Sequence, residues 1–224
     1  MLRAVAEDVH VLTVPFRFGG FDLGGRMTVI RLPDGGLWVH SPVRPTPEVR
    51  SAVEALGPVR FLVAPNLWHH LFIQDWAAAC PEAKVVAPAS LRRKRPGLRI
   101  DLELGDAPEA GWAGTLDQVF IRGMPKVDEC VFFHRPSRTV LLTDLAFNIH
   151  QTGSWLTRVY LKASGAWRKL STTYLERALM KDRAAVRASL DKVLAWNAER
   201  VVVCHGDVVE RGGQEALENA FRRL

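Results

Sequence analysis

Three short apolar runs in this chain each stop on residues that bind metals. Phe61-Leu62-Val63-Ala64 passes through a turn at Pro65-Asn66 and reaches His69 and His70. Thr139-Val140-Leu141-Leu142 ends on Thr143-Asp144, and Arg200-Val201-Val202-Val203 ends on Cys204-His205-Gly206. Four apolar residues bounded by turn formers make a buried strand, and α/β sheets build sites at the carboxyl ends of such strands. If the three ends share one edge, His69, His70, Asp144 and His205 are the candidate ligands. A structural role is open to each alone: Asp144 can cap a turn, and His205 can bond a backbone carbonyl.

The rest of the chain alternates in the same spirit. Residues 9–15 and Met27 to Leu32 read as strands, and Pro33-Asp34-Gly35-Gly36 is a hairpin turn returning Leu37 to His40. Thr46, Pro47 and Glu48 give a helix its cap, first position and first-turn acid, and Gly57-Pro58 stops it. A helix over Leu71–Ala79 and a strand at 84–87 follow. Leu102–Leu104, Gln118–Ile121 and a hairpin of Cys130–His134 with Thr139–Leu142 read as further strands. Val186, Leu190, Val193 and Leu194 repeat at helical spacing, and a last helix begins at Gln214. Two sets of strands with helices outside both define an α/β (α+β) fold, a four-layer αββα sandwich in one domain over 1–224. The stretch 147–177 breaks the pattern and reads as an inserted helical lid.

Of 224 residues, 48% are hydrophobic and 24% charged, an ordinary globular balance. No apolar run reaches the roughly 18 residues of a membrane span, and no membrane partner is expected. Three cysteines without a CxxC pair read as reduced thiols in a cytoplasmic protein. The net charge is +6, but no aromatics interleave with the basic run Arg92–Arg95, which argues against a nucleic-acid partner. An anionic small-molecule substrate suits the charge, and a homodimer is compatible with it.

The order of elements and motifs resembles the metallo-β-lactamase fold from Val9 to about Gly206, and is similar to an uncharacterised bacterial subgroup with a degenerate motif. In that superfamily a strand end carries H-x-H-x-D-H; here those four positions hold Pro65, Leu67, His69 and His70. Gly123-Met124-Pro125 stands where a further histidine is usual, and His40-Ser41-Pro42 replaces an Asp-Thr-Gly turn. Asp144 matches the bridging aspartate and His205 the final histidine. The resemblance implies that the first metal's ligands are lost and that one ion survives on His69, His70, Asp144 and His205. Zinc is the leading choice, with iron or manganese as alternatives. Pro65, Leu67 and Met124 are expected to form an apolar wall beside it.

Three functions follow as expectations. The first is a mononuclear hydrolase of an ester, thioester, lactone or amide, with Asp144 as the catalytic base. Its difficulty is that four protein ligands close a tetrahedral site, whereas catalysis needs an open position. The second is a binding module of the same fold without catalysis, and the third a nuclease, disfavoured by having one metal. His150 reads as a surface histidine.

Overall fold

The computed structural model describes residues 1–222 and 224. The chain opens with β1 (Arg3–Ala6), β2 (Val9–Val14), a small hairpin of β3 (Arg17–Phe18) and β4 (Phe21–Asp22), then β5 (Gly25–Arg31) and β6 (Leu37–His40). Next come α1 (Pro47–Glu54), β7 (Val59–Val63), α2 (Ile73–Ala79), β8 (Lys84–Pro88), the single turn α3 (Leu91–Lys94) and β9 (Leu102–Leu104). The second half runs β10 (Leu116–Phe120), β11 (Cys130–His134), β12 (Thr139–Leu142), α4 (Trp155–Ser164) and α5 (Tyr174–Leu179). It ends with α6 (Arg183–Leu194), β13 (Arg200–Val203) and α7 (Gly213–Phe221).

These strands make two main sheets. The first has the order β1-β2-β5-β6-β7-β8-β9, antiparallel through β6 and parallel from β6 to β9. The second has the order β10-β11-β12-β13, with β13 parallel to β12. Their facing sides share one core, in which Trp38 and Phe61 from the first sheet meet Phe132 and Val202 from the second. Trp38 sits edge-on to Phe132 at 4.8 Å, the geometry ring quadrupoles favour. On the outer side of the first sheet, Val53, Ile73, Trp76 and Leu91 bring α1, α2 and α3 onto Val39, Leu62 and Val85. On the outer side of the second, Val186, Leu190, Leu217 and Phe221 cover Val140 and Val203 with α6 and α7. The layers are helix, sheet, sheet, helix: the expected αββα sandwich.

Local chemistry explains the elements. Thr46 accepts a hydrogen bond from the Val49 amide, and Pro47 sits where a missing N–H costs nothing. Asp182 caps α6 through the Ala185 amide at 2.9 Å. The Trp76 indole donates to the Val43 carbonyl at 2.6 Å and ties α2 to the loop after β6.

Two expectations shift. The helix after the histidine pair begins at Ile73, two residues late, because Pro65–Phe72 is spent on turns. The stretch 147–177 is helical only in part: α4 and the start of α5 lie in it, but Phe147 pairs with Ser171 as an isolated bridge. Phe147, Ile149, Leu161 and Ala166 give this segment a small core of its own.

Candidate metal centre

The loops after β7, β12 and β13 converge at one edge, between the two sheets. His69 Nε2 lies 3.2 Å from Asp144 Oδ2, and His205 Nε2 lies 3.3 Å from Asp144 Oδ1. The two imidazole nitrogens are 3.2 Å apart. Zinc bonds of about 2.0–2.1 Å in tetrahedral array put neighbouring ligand atoms about 3.3 Å apart. The two nitrogens each face a different oxygen of the Asp144 carboxylate, and one donor atom from each residue lies within 4.8 Å of the others, close enough for the three residues to hold one ion together.

Each ligand is aimed by a group behind it. His205 Nδ1 donates to the Gly24 carbonyl at 2.7 Å, which turns Nε2 toward Asp144. Phe147 stacks on the same ring, with centroids 5.1 Å apart. His69 Nδ1 is 2.6 Å from Ser41 Oγ. Ser41 takes a left-handed backbone at φ 51°, an uncommon conformation that turns the chain at the end of β6 under His69. Gly206 is required just after His205: its φ is 101°, and a Cβ there would lie 2.2 Å from the Asn148 carbonyl oxygen.

A buried polar clamp holds the carboxylate. Asn66 Nδ2 donates to Asp144 Oδ2 at 2.7 Å and to Glu129 Oε2 at 3.2 Å, while its Oδ1 accepts from the amides of Trp68 (2.9 Å) and His69 (2.8 Å). Glu129 accepts from the amides of Thr143 and Asp144, both at 2.8 Å. One side chain thus fixes the turn carrying His69 and the acid it meets. Burial, followed by the Asp144 charge, pushes Glu129 up to about 7. Burial alone would raise Asp144 too, but His69 and His205 overcome it and hold its carboxyl well below the usual range. His69 is the converse: burial opposes its charge, yet Asp144, then Cys204, raises it well above an ordinary histidine. Without an ion, the His69 proton supplies the positive charge that Asp144 needs.

Of the four expected ligands, His69, Asp144 and His205 come together, and His70 does not join them. The ring of His70 turns to Arg95, with Nδ1 3.4 Å from its guanidinium. Burial, then Lys94 and Arg95, lower it to about 4. Adjacent residues on a tight turn point apart, and the Asn66 bond to the His69 amide selects His69. The expected apolar wall is not formed as one surface. Leu67 packs on the outer core of the first sheet and Met124 in that of the second. His150 lies apart, its Nε2 2.9 Å from Asn148 Oδ1.

The chain has the metallo-β-lactamase fold. A metallo-β-lactamase from Pontibacter korlensis superposes with a TM-score of 0.69 at 14% identity, covering 99% of this chain and 97% of that one. The mono-zinc form of the metallo-β-lactamase FIM-1 from Pseudomonas aeruginosa gives 0.64 at 15% identity over 98% and 93%. The metal-soaked Flv1 flavodiiron core from Synechocystis sp. gives 0.70 at 12% identity, over all of this chain and 60% of its own. At such identities the likeness establishes the fold alone. Residues 22–92 match a family model described as a domain of unknown function (DUF4336). A comparison with curated protein sequences finds no match.

Proposed function

We propose that the protein is a mononuclear metal-dependent hydrolase acting on an ester, thioester, lactone or amide of a small molecule, with zinc as its ion. The gathering of His69, Asp144 and His205 donor atoms within 4.8 Å of one another supports this reading: three residues would hold the ion, one fewer than the four that close a tetrahedral site. Three ligands remove the difficulty a four-ligand site posed. When bound, the ion supplies Lewis acidity to a water and to the substrate carbonyl.

The chain's own residues supply the rest. Asp144 is the catalytic group: its carboxylate, clamped by Asn66 and held ionised by the two histidines, would orient the attacking water by accepting a hydrogen bond from it. His69 and His205 are aimed at the centre through their Nδ1 atoms, which are tied to Ser41 and Gly24. A cleft of about 600 Å³ lined by Val14, Phe16, Arg17, Asp22 and Gly24 adjoins the site. Phe16 also faces the His205 ring at 6.3 Å, which sets the cleft beside one of the three clustered residues.

The test is metal content together with turnover. Protein purified without chelators or affinity-column metal should hold one ion per chain by elemental analysis and hydrolyse some member of a panel of aryl esters, thioesters, lactones and anilides. His205→Ala should lose both, and His70→Ala should keep the ion. An ion that survives His205→Ala, or turnover indifferent to that change, would refute the assignment.

A further inference from the structure

The segment 147–177 and the β3–β4 hairpin form one lobe with an unusual surface. Among the described residues, seven large hydrophobic side chains are half or more exposed, and five are here: Phe18 (71%), Trp155 (72%), Val159 (55%), Tyr174 (56%) and Leu175 (50%). They belong to one structure. Ser154 Oγ donates to the Gly20 carbonyl at 3.2 Å, and the Asp22 amide donates to Thr157 Oγ1 at 2.8 Å, seating α4 on the hairpin. The Leu175 amide donates to the Tyr160 hydroxyl at 3.1 Å, seating α5 on α4. Trp155 and Val159 are one helical turn apart on α4, so they share its outward face.

The charge of this lobe has one sign. Between residues 147 and 177 the sequence carries five lysines and arginines and a single acid, Glu176. That acid is buried and occupied, its carboxylate accepting from the Thr173 amide at 2.8 Å in a capping box. In the hairpin, Arg17 is exposed, while Asp22 accepts from the Gly153 amide at 3.3 Å. Exposed tryptophan and aliphatic side chains in a segment that also exposes Arg158, Lys162, Arg168 and Lys169 match a surface that is apolar beneath and anionic above. No helix among the described residues is long and apolar enough to cross a membrane.

We infer that this lobe docks the protein on an anionic lipid surface, with Phe18, Trp155 and Leu175 entering the acyl boundary and Arg17, Arg158 and Lys162 meeting the headgroups. The site lies beneath it: Phe147, at the root of the segment, stacks on His205, and Gly24, at the end of the hairpin, fixes that ring. Docking stands independently of the chemistry at the metal centre.

The experiment is flotation of the full chain with vesicles of phosphatidylcholine alone or with one third phosphatidylglycerol, at low and high salt. The protein should float with the anionic vesicles only, and high salt should release it. Arg158→Glu/Lys162→Glu should weaken partitioning by about fivefold or more for each cation reversed. Trp155→Ser/Val159→Ser should weaken it at least tenfold with thermal stability unchanged, since both positions are exposed. Failure to float, equal flotation with neutral vesicles, or unaltered binding by both variants would overturn the inference. So would a dimer broken by Trp155→Ser/Val159→Ser, or duplex DNA displacing the vesicles.

Discussion

Asn66→Asp changes one atom at the centre of the clamp and leaves its shape alone. The new carboxylate keeps Oδ1 for the Trp68 and His69 amides, but an oxygen replaces the nitrogen that stood 2.7 Å from Asp144 and 3.2 Å from Glu129. Two unit charges at that shorter separation repel by about 6 kcal/mol at an effective dielectric of about 20. Proton uptake caps the cost. A carboxyl forced to stay protonated loses about 1.4 kcal/mol for each pH unit above its ordinary value of about 3.9. The expected loss of stability is then about 4 kcal/mol at pH 7 and about 1.5 kcal/mol at pH 5. The sign follows from a raised folded pKa: the penalty is absent below pH 4 and grows as pH rises. Urea denaturation of metal-free wild type and variant at both pH values measures it. A loss under about 1 kcal/mol at pH 7, or an equal loss at both, would show that Asn66 is not the donor shared by the two carboxylates.

Three further perturbations test other parts of the structure. Burial pushes Glu176 up to about 7 against the donors of Thr173, so its contribution is fully present below pH 4.5 and is lost as pH rises through 7; Glu176→Gln should remove about 3 kcal/mol of that slope in denaturation across the range. Ser41→Ala frees the His69 ring and should lower zinc affinity by about tenfold to a hundredfold in competition with a chromogenic chelator, without unfolding the protein. Gly206→Ala drives a methyl into the Asn148 carbonyl and should cost about 3 kcal/mol or more, read as a fall in melting temperature.

Much of this architecture was legible because it rests on local rules. The Thr46-Pro47 cap, the Asp34-Gly35 turn and the spacing of Val186, Leu190 and Val193 act within a few residues of themselves. Asp144 and His205 were legible for the same reason, each ending an apolar strand. That His69 and not His70 meets Asp144 was not, since it depends on how the Asn66 side chain folds the turn around itself. Glu129 was also invisible: it sits in a stretch that reads only as the start of a strand, and its partners lie 14 and 15 residues away. The wall expected from Pro65, Leu67 and Met124 failed because alignment to a motif assigns positions, while packing sends Leu67 and Met124 to opposite outer cores.

The parallel pairing of β12 with β13 joins Leu142 to Val203 across the whole of α4, α5 and α6. Contacts that close so long a stretch form late in folding, after the local hairpins of either sheet. His205 therefore reaches Asp144 only when the last strand has docked, and His69 contributes from the other sheet. A truncated or half-folded chain would own two of the ligands and still lack the centre. An ion bound only by the finished chain would thus report completed folding and add to its stability.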